Sequence, residues 1–151
     1  MAWFTEFRID GETEPCMICF YLTLNYRLPD KSLLRIEQEA AWCEGCRSFG
    51  VAEVIPSIEE LYSRIQELQT PTQKLFFIYR TQEAMGSAID ELHTRLRWRG
   101  SRKSPARCLA CGSTAITPVR FAEDRTCVVN GKRLRYVTRH HGQRHRHLRR
   151  S

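Results

Sequence analysis

Seven cysteines, set as three C-x-x-C pairs and one single, constrain this chain more than any other feature of its 151 residues. The pairs are Cys16/Cys19, Cys43/Cys46 and Cys108/Cys111, and the single is Cys127. An odd count does not close a disulfide framework. A C-x-x-C turn, by contrast, aims two sulfurs at one point, and two such turns complete a tetrahedral shell of four thiolates around a metal ion. Two shells would need eight ligands, which seven thiolates and one of the five histidines would supply.

The segment between Cys19 and Cys43 decides how the first shell could close. Phe20, Leu22, Leu24 and Tyr26 alternate with polar or smaller neighbours, which is strand periodicity. Pro29-Asp30 signals a turn, and Leu34, Ile36, Gln38, Ala40 and Trp42 alternate again on the way back. A hairpin of this kind sets Cys16, Cys19, Cys43 and Cys46 side by side as the first expected metal site. The order knuckle, strand, turn, strand, knuckle resembles the zinc-ribbon superfamily over residues 14–50, at the level of architecture. That resemblance implies structural zinc.

Trp42 directly before Cys43 raises a second chemistry, that of a thioredoxin-like dithiol. Such a site ends a buried strand and opens a helix. Arg35, Glu37, Gln38 and Glu39 make the preceding segment too polar for that role, and Gly50 and Pro56 interrupt the one that follows. A dithiol oxidoreductase therefore ranks last of the three functions the sequence allows.

The middle of the chain has helical period. Ser57 and Glu60 form a capping box ahead of Ile58, Leu61, Tyr62, Ile65 and Leu68. A second pattern restarts at Thr70-Pro71, with Leu75, Ile78, Gln82, Met85, Ile89, Leu92 and Leu96 at alternating steps of three and four. It predicts one long helix of about 27 residues, roughly 40 Å, stopped by Gly100 and packed on the shorter helix as a hairpin. Phe76, Phe77 and Tyr79 widen its apolar face, which would pack on this chain or on a second copy.

The last third is different in charge. Residues 95–151 hold 16 Lys+Arg against two acids, a balance of +14, while residues 1–94 balance to −7. Such a division points to a polyanionic partner for the C-terminal end. Cys108-x-x-Cys111 is followed by Gly112, residues 115–121 read as a strand, and Asn130-Gly131 signals a type I′ hairpin. A second ribbon-like module is expected, its metal held by Cys108, Cys111, Cys127 and His140, with His141 as the alternative fourth ligand. The groups placed to meet nucleic acid are Arg95, Arg97, Arg99, Arg102, Lys103, Arg107, Lys132, Arg133, Arg135, Arg139, Arg144, Arg146, Arg149 and Arg150. Trp98 and Tyr136 lie among them as candidate base-stacking rings.

No phosphate-cradling glycine loop, H-E-x-x-H or deaminase-like pattern is present, so no catalytic residues are assigned. The expected fold class is α+β: a zinc ribbon over 1–55, a helical hairpin over 56–100, a ribbon-like module over 101–141 and a basic tail over 142–151. The expected function is a non-catalytic zinc adaptor, carrying one or two zinc ions and binding DNA or RNA through its basic third. The competing function is a protein–protein or oligomerising adaptor that binds no nucleic acid, its helical face meeting a partner or a second copy. With no apolar run long enough to span a bilayer and no signal-peptide pattern at the start, no membrane partner and a cytoplasmic setting are expected.

Overall fold

A computed structural model describes residues 2–70 and 72–142. It is a mixed α and β structure, in line with the expected α+β class. The chain gathers into two compact units. The first is built from three separate stretches, 1–24, 36–54 and 105–151; the second comprises 25–35 and 55–104. This grouping differs from the expected linear succession, because the segment carrying Cys108 and Cys111 shares a unit with the N-terminal strands.

The first unit has two antiparallel sheets. Strands β1 (Ala2–Ile9), β2 (Cys16–Phe20), β8 (Thr126–Val129) and β9 (Lys132–Gly142) form one, in the order β2-β1-β9-β8. Strands β5 (Gln38–Cys43), β6 (Ser48–Glu53) and β7 (Ile116–Pro118) form the other, in the order β6-β5-β7. Alternation along each strand sends one set of side chains inward. Phe7, Ile9, Ile18, Val129 and Leu134 from the larger sheet meet Ala40, Trp42 and Val51 from the smaller one in a common core. Aromatic edges fix the contact: Phe49 stands edge-on to both Phe7 (5.3 Å) and Trp42 (5.0 Å). The Asn130-Gly131 turn forms as expected, with Val129 paired to Lys132 and both turn residues at positive φ, 53° and 70°.

The second unit holds the short hairpin β3 (Asn25–Arg27) and β4 (Leu33–Arg35) and three helices, α1 (Ile58–Gln69), α2 (Gln73–Tyr79) and α3 (Gln82–Ser101). Ser57 caps α1 as predicted, its Oγ accepting the Glu60 N–H at 3.0 Å. The expected long helix is instead two. Arg80 turns left-handed at φ 60°, Thr81 is extended, and the Thr81 Oγ accepts the Ala84 N–H at 3.1 Å to start α3 afresh. Thr70, expected to open a helix, closes α1 instead, and Gly100 lies within α3 without ending it.

The strand pair expected between Cys19 and Cys43 is also divided. β2 ends at Phe20, the chain leaves the first unit after Leu24, and it returns at Ile36. Where it returns, the Gln38 side chain holds both backbone groups of Tyr21, accepting its N–H at 2.8 Å and donating to its carbonyl at 2.6 Å.

Candidate metal centre

Four sulfurs converge in the first unit, and they are those of Cys43, Cys46, Cys108 and Cys111. All four ligand atoms lie within 4.8 Å of one another. The pairing joins the second C-x-x-C to the third, a correction to both expected sites.

The local structure explains the convergence. Cys43 ends β5, and Glu44, Gly45 and Cys46 make the turn into β6. The Cys46 N–H points back at the Cys43 Sγ (3.4 Å), the inward-facing amide geometry of a metal knuckle. Arg47 takes the left-handed φ of 53° that closes the turn. The second turn is seated against both neighbouring strands. Cys108 bridges Ala52 of β6, the Leu109 N–H reaches the Val51 carbonyl (2.9 Å), and β7 then pairs with β5, setting Ile116 opposite Cys43. Gly112 at φ 78° lets the chain reverse after Cys111, its N–H bonded to the Cys108 carbonyl at 2.9 Å. Gly45 serves close approach: a Cβ there would lie 3.0 Å from the Cys111 Sγ and 3.0 Å from the Ser113 Cβ.

The distances suit a metal ion. Cys43 and Cys111 sulfurs are 3.5 Å apart, and those of Cys46 and Cys108 are 3.7 Å apart. A tetrahedron with metal–sulfur bonds of about 2.3 Å has edges of about 3.8 Å. None of the seven cysteines is in a disulfide. The four thiols also bias one another's ionisation. Burial opposes a Cys43 thiolate, but the Cys46 N–H and the neighbouring thiols donate to it and bring its pKa down to about 7. Cys46 is pushed up to about 12, chiefly by its hydrogen bonds with the thiols of Cys111 and Cys108. A divalent cation at the centre is what would let all four ionise together. The quartet is therefore positioned to hold a metal ion and is compatible with zinc.

Cys16 and Cys19 lie outside the quartet because they sit on a strand, not a turn. Residues three apart on a strand face opposite ways. Cys16, opposite the fully buried Phe7, packs against the core, whereas Cys19 is exposed. They cannot chelate one ion. Cys127 faces the core from β8, opposite Leu134, and burial raises its thiol pKa. His140 and His141 pair through their backbones with Phe4 and Trp3, and only the backbone is described there.

The groups expected to meet nucleic acid divide among several settings. Arg95 is buried, at 2% exposure, donating to the Arg35 carbonyl (2.8 Å) and pairing with Glu91 (3.0 Å). Trp98 stacks on Tyr26 at 4.6 Å with the Arg102 guanidinium over both rings, and Arg99 donates to the Pro56 carbonyl. Tyr136 packs edge-on to Phe121. Arg107 pairs with the buried Glu53, and Lys132 with Glu12. These groups are largely engaged within the protein. Arg97, Lys103, Arg133 and Arg135 are exposed. Arg139 lies on β9 with only its backbone described, and Arg144, Arg146, Arg149 and Arg150 fall outside the described residues. Among the described residues no helix is long and apolar enough to cross a membrane.

No protein-family model matches the chain, and no curated protein or solved structure matches it either.

Proposed function

We propose that this is a non-catalytic zinc protein of ribbon type that binds nucleic acid through its basic C-terminal third. The observation that carries the metal half is the four-sulfur cluster of Cys43, Cys46, Cys108 and Cys111. Four thiolates in a tetrahedral set fit a structural zinc ion and leave no open position for a substrate or an activated water. The zinc would replace core that a small sheet cannot supply, tying the β5–β6 turn to the segment ahead of β7. The binding half is supported by the charge division between residues 1–94 and 95–151 and by 14 Arg against two Lys in the latter. Guanidinium forks match phosphate oxygens bidentately.

Native mass spectrometry of the full chain is expected to show one zinc per subunit, with all four cysteines protected from alkylation until a chelator is added. Binding to a random-sequence oligonucleotide is expected to weaken about 10³–10⁵-fold between 50 and 200 mM salt if six to ten phosphates are met. No metal in freshly purified protein overturns the first half. No binding at about 50 mM salt overturns the second.

A second reading is favoured by one surface. Tyr62, Phe77 and Ile78 are 60%, 87% and 59% exposed on α1 and α2, and Ile78 helps to line a groove of about 800 Å³ with Gln66, Thr70 and Leu75. An adaptor that docks protein there would bind its partner with little dependence on salt.

A further inference from the structure

The charge division assigns binding to the C-terminal third, but the fold places a residue of the acidic front beside it. In the four-stranded sheet, Phe7, Ile9, Leu134, Cys127 and Val129 face the core, so their alternating neighbours face outward. On that outer face Arg8 of β1 stands directly opposite Arg135 of β9, and Arg135 is opposite Thr126 of β8. Arg133, two positions along β9, is on the same face opposite Val128, which is 70% exposed. Arg8, Arg133 and Arg135 are all exposed.

Cross-strand partners have Cβ atoms only about 5 Å apart, and like charges directly opposite destabilise a sheet. Here two guanidinium groups occupy such a pair and a third lies within the same patch. Three acids lie near them. Asp10, two residues after Arg8, has its N–H bonded to the Arg133 carbonyl at 3.0 Å and offsets Arg133. Asp124, whose field reaches Arg133, already accepts from the Thr126 N–H and hydroxyl, and Glu6 lies one rung further along. The repulsion is therefore concentrated in the Arg8–Arg135 pair. The cluster is placed to lose its mutual repulsion when an anion lies across it. A polymer suits the site better than a single anion, because three cations are spread along two neighbouring strands and the sequence after β9 holds four further arginines, Arg144, Arg146, Arg149 and Arg150.

We propose that the outer face of this sheet carries a polynucleotide strand, with Arg8, Arg133 and Arg135 each meeting a phosphate. The assignment rests on the nucleic-acid reading above and adds Arg8, which lies outside the basic third. The contacts are to backbone, so little sequence preference is expected.

Fluorescence anisotropy of the full chain with a labelled random single strand and duplex, over about 50–200 mM salt, tests it. The triple variant Arg8→Gln/Arg133→Gln/Arg135→Gln is expected to reduce the slope of log K against log salt by about 2–3. A variant of equal charge loss on the other unit, Arg27→Gln/Lys31→Gln/Arg64→Gln, is expected to leave the slope unchanged. Circular dichroism and metal content verify the fold of each, and Arg135→Gln alone, losing about one unit of slope, serves if the triple variant is unstable. Unchanged slope in a folded variant while the native chain binds would overturn the sheet-face assignment and leave nucleic-acid binding standing elsewhere. Absence of binding by the native chain removes both. Displacement of the probe by polyglutamate at equal charge concentration would overturn the nucleic-acid occupant in favour of an acidic protein.

Discussion

Glu53 shows how single residues hold the metal-bearing sheet in place. It is fully buried at the end of β6, and its carboxylate accepts both the Arg107 N–H (3.2 Å) and the Arg107 guanidinium (3.4 Å). Its own N–H returns a bond to the Arg107 carbonyl at 3.0 Å. Arg107 immediately precedes Cys108, so this reciprocal contact sets the approach of the third C-x-x-C. Glu53→Ala leaves the part-buried Arg107 N–H without this acceptor and is expected to cost about 1–2 kcal/mol in urea unfolding. The half-exposed guanidinium adds little to that figure. Glu53→Gln retains an oxygen for the N–H and is expected to cost less than about 1 kcal/mol. Nothing in the sequence singled out Glu53, because a buried acid is identifiable only once its partner's place is known.

Elements were legible where a local signal sufficed. Ser57 with Glu60, and Asn130 with Gly131, specify a helix start and a hairpin through contacts within four residues, and both form. The break at Arg80 and Thr81 was hidden because the heptad stripe continues across it in number while the backbone does not. The C-x-x-C at Cys16 misled for a related reason: spacing is shared by turns and strands, but only a turn brings both sulfurs to one side. The turn before β8 also carries a pH dependence. Hydrogen bonds from the Thr126 hydroxyl and N–H hold the Asp124 carboxyl below its ordinary value of 3.8. The sign follows from that direction: its contribution is fully present above about pH 4 and is lost as pH falls through the lower folded value. The Thr126 amide resonance is expected to titrate below pH 4 in the native chain and not in Asp124→Asn.

At the scale of the molecule, the sequence disclosed the composition of the site but not its membership. Three C-x-x-C pairs were visible, and adjacency along the chain favoured joining the first to the second. The fold instead joins the second to the third, because β7 pairs with β5 and Cys108 bridges Ala52. The ion would thus link stretches 36–54 and 105–121, which local interactions alone do not hold. Chelation is expected to raise amide exchange across β5, β6 and β7 while α1 and α3 keep their protection. Equal loss of protection in both units would instead mean that the two fold as one.

The partnership of β1 with β9 has a consequence for how the protein is made. Ile9 pairs with Leu134 across nearly the whole chain. A ribosome adding about 5–20 residues per second reaches the second only after on the order of ten seconds. Until then a β-rich stretch has one side open, able to recruit whatever other nascent backbone is near. The unpartnered edge of β1 is therefore open to aggregation through most of translation, until β9 emerges to cover it.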